Sequence, residues 1–170
     1  NEKDHSGWVA LMWAARYGHK EVCELLVVKG ADVNEKENHG RTALMWAARE
    51  GHKNICEYLT SKEAHIDEKD NDGLTALMCA SVEGHKDICE CIISRGAQID
   101  EKDNGGYTAL MYAAMKSHKG VCELLVSRGA NVNAVTADGK TPLHLSSDID
   151  VVRVLIDIGA DIEARNSDGE

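Results

Sequence analysis

The chain has no phenylalanine, only 3 tryptophans and 4 tyrosines, and no run of 18 apolar residues. Without such a run no segment can cross a bilayer as a helix, and no charged-then-apolar leader opens the chain; we expect a cytoplasmic protein with no membrane partner. Clustered lysine and arginine are missing too. The net charge is -10, with 19 acidic against 10 basic side chains in residues 67–170 and near balance, 10 against 9, in residues 1–66. An acidic surface repels phosphate and binding by counterion release needs grouped cations, which argues against DNA and RNA. No serine lies in a nucleophile elbow, no glycine-rich phosphate loop is present, and no acid, base and nucleophile converge. We therefore expect neither catalysis nor a cofactor.

What the chain does have is internal repetition. "VALMWAARYGH" at residues 9–19 returns as "TALMWAAREGH" at 42–52, "TALMCASVEGH" at 75–85 and "TALMYAAMKSH" at 108–118. Gly7, Gly40, Gly73, Gly106 and Gly139 are spaced by 33, as are Met12, Met45, Met78 and Met111. A period in this range is the mark of a solenoid or array. The units run 7–39, 40–72, 73–105, 106–138 and 139–168, the last shortened to 30 residues.

The cysteines follow the same period. Cys23, Cys56, Cys89 and Cys122 occupy one helical position. Stacked helices would hold them about 8–10 Å apart, beyond the ~7 Å Cα separation that a disulfide allows, so they are read as small core residues. His19, His52, His85 and His118 recur likewise, too far apart for a shared zinc ion and suited to ordering a turn between helices. The acids of the "EKE" and "EKD" segments lack the spacing of a calcium loop and read as a solvated face.

Within the unit 40–72, Gly40 marks the tip of a hairpin, and Thr42 is an N-cap type. Leu44, Ala47 and Ala48 give an apolar face to a helix of about nine residues that Gly51 ends. A second helix follows in "KNICEYLTSK", with Ile55, Cys56, Tyr58 and Leu59 inward. Other copies end this helix on Gly30, Gly96, Gly129 and Gly159, but this one carries Glu63. Such short helices are marginal alone, so stacking must stabilise them.

"GRTALMWAAREGH", with "KGADVN" at 29–34, "RGANVN" at 128–133 and "IGADIEA" at 158–164, resembles the ankyrin repeat over the whole chain. The resemblance implies an all-α solenoid of stacked helix-turn-helix units with β-hairpin loops. It implies a protein-interaction module that binds a partner protein or peptide through its concave surface as a monomer, part of a larger scaffold, adaptor or regulatory protein. Alternatives are a rigid spacer or targeting segment of a larger enzyme such as a kinase, or a small-molecule or nucleotide sensor. The resemblance also implies two candidate hydroxylation sites, Asn34 and Asn133, although the favoured reading of each is an asparagine bonding its own hairpin backbone.

Departures from the family pattern are informative. Alanine replaces its proline and methionine its histidine in four units, and only "TPLH" at 141–144 keeps both. We expect apolar packing of methionine to replace the hydrogen bonds between units that the histidine makes in the family. The shortened last unit should have a stunted first helix of about two turns. Both ends match the repeat phase, as if cut from a longer array.

The positions expected on the concave surface vary from unit to unit. They are Trp8, Arg41, Leu74 and Tyr107 after the turn glycine, Trp13, Trp46, Cys79 and Tyr112 within the first helix, and Arg16, Tyr17, Arg49, Val82 and Met115 near its end. Of the 3 Trp and 4 Tyr, all but Tyr58 lie at these positions. Exposed aromatics interleaved with Arg and Met match binding hot spots, and the acidic C-terminal half suits a partner with a basic segment. The competing expectation is that these rings pack on one another across units.

Overall fold

The computed structural model describes residues 2–169. Among them lie ten α-helices, two per unit. The first helices are α1 (Ala10–Arg16), α3 (Ala43–Arg49), α5 (Ala76–Glu83), α7 (Ala109–Met115) and α9 (Pro142–Leu145); the second are α2 (Lys20–Val28), α4 (Lys53–Ser61), α6 (Lys86–Ser94), α8 (Lys119–Ser127) and α10 (Ile149–Asp157). Each first helix packs against its own second helix and against the first helices of adjacent units, and the second helices stack in the same way. Two parallel rows result, an inner and an outer.

Local chemistry sets the boundaries. The hydroxyls of Thr42, Thr75 and Thr108 accept the backbone N–H three residues on, from Met45, Met78 and Met111. α3 ends at Arg49, giving seven residues where about nine are expected, because Glu50 already leaves the helix before Gly51 turns left-handed at φ 84. Leu44, Met45, Ala47 and Ala48 are buried, as are the corresponding residues of α5 and α7. The alanine pairs let the inner helices approach closely, and the methionines fill the space between them.

No strand forms among the described residues, so the expected hairpins are fingers closed by turns. In the finger that joins the first unit to the second, Glu37 N–H donates to Arg41 O and Gly40 N–H to Glu37 O. Single backbone bonds join neighbouring fingers, from Asn38 to Ser6, Asn71 to His39, Asn104 to Asp72 and Ala137 to Gly105. Lysines add a ladder, with Lys36 Nζ bonded to Lys69 O at 2.7 Å and paired with Glu68 at 2.7 Å.

Apolar packing is not the whole link between units. The Nε2–H of His52 donates to Arg16 O at 2.9 Å, that of His85 to Arg49 O at 3.1 Å and that of His118 to Val82 O at 2.9 Å. A carbonyl only accepts, so each ring must carry its proton on Nε2. The turn histidines thus tie each unit to the one before it. All six cysteines are free and buried, and burial pushes the Cys89 thiol up to about 11.

The last unit departs further than expected. α9 is a single turn of four residues, and Ser146 is already extended at ψ 129. The omitted residues include the turn histidine; Asp148 takes over as the cap of α10, accepting from Asp150 N–H and Val151 N–H.

Candidate concave binding surface

The fingers and the inner helices bound the face on which the variable residues stand. At its N-terminal end Trp8 lies 4.3 Å from Trp13 and 4.7 Å from Trp46 between ring centroids, and Trp13 stacks on Tyr17 at 5.9 Å. The Arg16 guanidinium sits 4.9 Å from the centre of the Trp46 ring, and that of Arg41 5.2 Å from it. Cation–π contacts of this kind hold arginine side chains against aromatic faces.

This packing corrects part of the sequence expectation. Trp8 is 8% exposed, Trp46 7% and Cys79 8%. Trp8 and Trp46 are buried because the two rings lie on one another across a unit boundary and under arginine side chains, whereas Cys79 sits in the third unit beside Leu74 and Val82. Trp13 at 38%, Tyr17 at 58% and Met115 at 38% do reach solvent, Arg49 is exposed, and Arg16, Arg41, Leu74, Val82, Tyr107 and Tyr112 are partly covered. The two expectations therefore divide by residue: inner rings build the surface and outer rings present it.

Further along, small side chains replace the rings. Leu74, Cys79 and Val82 line an open notch of about 160 Å³, with Arg49 and Glu83 at its mouth. Beyond it Tyr107 and Tyr112 lie 5.6 Å apart. The Tyr112 hydroxyl donates to Asp103 Oδ2 at 2.5 Å, and burial together with this carboxylate raises its pKa. The arginine ion pairs are loose, Arg16 to Glu50 at 3.8 Å and Arg49 to Glu83 at 3.7 Å. Exposed pairs at such distances contribute little and leave the guanidinium groups available.

Asn34 and Asn133 lie away from this surface. Each clamps the next unit: Asn34 Nδ2 donates to Glu63 O and its Oδ1 accepts His65 N–H, while Asn133 does the same with Gly159 O and Asp161 N–H. The bonds go to the neighbouring unit rather than to the residue's own hairpin. A modifying enzyme would have to release both. Among the described residues no group of three or more metal-ligating side chains is found, and no helix is long and apolar enough to cross a membrane.

Stacked helix pairs with a variable face on the inner row define a helical repeat solenoid. Residues 1–70, 64–136 and 90–166 match the family described as ankyrin repeats (3 copies), and the chain belongs to that family. A comparison with curated proteins found no match.

Proposed function

We propose that this chain holds a segment of a partner protein along its concave face, as ankyrin repeats generally do. The observation that carries this reading is the exposure of Trp13 and Tyr17 in the first unit and of Met115 in the fourth, apolar side chains at inner-helix positions where the residue changes from unit to unit. Large exposed apolar side chains gathered on one face mark interaction sites. The net charge of the C-terminal half suits a basic portion of the partner there, steering its approach in a salt-dependent way. The chain acts as a monomer, and its free thiols suit a reducing compartment such as the cytosol.

Trp46→Ala would empty a buried site and disturb folding, so that truncation gives no clean test. The triple variant Trp13→Ala, Tyr17→Ala and Met115→Ala removes only exposed side chains. In affinity capture from cell extract the wild type should retain a partner that the variant loses, with equal helicity by circular dichroism. Capture that survives the triple change overturns the proposal.

A further inference from the structure

The repeats treat their aromatic polar hydrogens unequally. In the first unit the Asp4 carboxylate lies beside the Trp13 side chain. In the fourth, Tyr112 donates to Asp103 Oδ2. Asp4 and Asp103 stand at the same finger position, nine residues before the ring they serve. Nine residues before Trp46 that position is Glu37, whose Oε2 accepts from His39 N–H and faces its imidazole at 3.1 Å while Oε1 accepts from Arg41 N–H. Trp46 Nε1–H is consequently buried with no acceptor among the described residues. A buried donor left unmet is destabilising, and native proteins rarely carry one.

Two guanidinium groups, Arg16 and Arg41, flank this indole, and Arg49 follows one turn later on the same helix. Arg49 also edges the apolar notch of Leu74, Cys79 and Val82. Its volume, about 160 Å³, is on the order of the ~150 Å³ apolar cavity that admits a benzene ring, room enough for one aliphatic side chain.

Resting on the binding function proposed above, we infer that the partner segment delivers an Asp or Glu carboxylate to Trp46 Nε1–H between Arg16 and Arg41, and a neighbouring aliphatic side chain to the notch. The partner's carboxylate does for Trp46 what Asp103 does for Tyr112. Arg16 swings aside from its loose contact with Glu50 to admit it. Its charge is opposite to that of the segment drawn to the acidic C-terminal half, so the partner lies in one direction along the groove.

A random-peptide phage library panned on the full chain supplies the probe. Enriched peptides should carry an acidic residue beside an aliphatic one. Changing that Glu or Asp to its amide should weaken binding between about tenfold and a hundredfold, the worth of one charged hydrogen bond. Trp46→Phe should weaken it equally while melting no lower than the wild type, because it deletes an unmet donor. The Trp46 indole ¹⁵N–¹H signal should move on binding, and Cys79→Trp, which fills the notch, should also block it. Peptides that lose binding with Trp13→Ala but ignore both Trp46→Phe and their own carboxylate overturn this inference alone. A library with no peptide sensitive to Trp13→Ala overturns the proposed function with it.

Discussion

Gly84 lies under the ring of His118: a Cβ added to that glycine would stand 2.6 Å from Nδ1. The same crowding occurs at Gly18 beneath His52 and at Gly51 beneath His85. In the fourth unit Ser117 holds the equivalent left-handed turn at φ 59. It can carry a Cβ there because the following unit lacks the histidine.

Two alanine substitutions separate crowding from backbone strain. Gly96 adopts φ 98 with nothing within 4 Å of an added Cβ, so Gly96→Ala should cost only the left-handed conformation, about 1–2 kcal/mol. Gly84→Ala must also displace His118 and loosen its bond to Val82 O, adding about 1 kcal/mol. Urea denaturation of the two variants measures the difference; equal losses would contradict the role given to the histidine.

Glu63 is the converse case. It holds φ 61 where Gly30, Gly96, Gly129 and Gly159 stand in the other units. Glu63→Gly should therefore raise stability by roughly 1 kcal/mol. Its carbonyl bond from Asn34 is a backbone contact and stays. A melting temperature that does not rise rejects this account.

The clamps between units are uneven. Asp67 Oδ1 accepts Gln98 N–H and Asp100 Oδ1 accepts Asn131 N–H, but a carboxylate cannot donate to the carbonyl that Asn34 and Asn133 also hold. Asp67→Asn and Asp100→Asn should each add one hydrogen bond, a gain of about 0.5–1.5 kcal/mol. Thermal unfolding of the double variant should show the gains sum, since the sites are in different units.

Acid should loosen the fingers. Burial alone would raise the Glu37 carboxyl, but the His39 N–H, the His39 imidazole and the Arg41 N–H outweigh it and hold it below the ordinary glutamate range. A Lys36 hydrogen bond lowers Glu68 likewise. Groups depressed in the folded state contribute stability that is complete above the unfolded value near pH ~4.3 and lost as pH falls through the folded one. Stability should decline below about pH 4.5, and Glu37→Gln should flatten that decline in a pH series of urea melts.

Much of this architecture was legible because a repeat states its own alignment. Thr42, Leu44, the alanine pair and Gly51 declare their roles by returning in register, and Glu63 stands out by failing to. The surface was less legible. That Trp8 and Trp46 are covered depends on rings from adjacent units meeting across a stacking distance, which no single helix pattern encodes. The reach of His52 to Arg16 O spans 36 residues and was invisible for the same reason. The unmet hydrogen of Trp46 emerges only when the finger carboxylates of three units are compared in space.

The missing histidine of the last unit gives the stack a direction of failure. Three bolts of the same design run from the second unit to the fourth, and none follows. α9 and α10 should thus form the fraying end, exchanging their amide protons before the other units and opening without them. A tug on the C-terminal side would peel the array one pair of helices at a time, with the aromatic end yielding last.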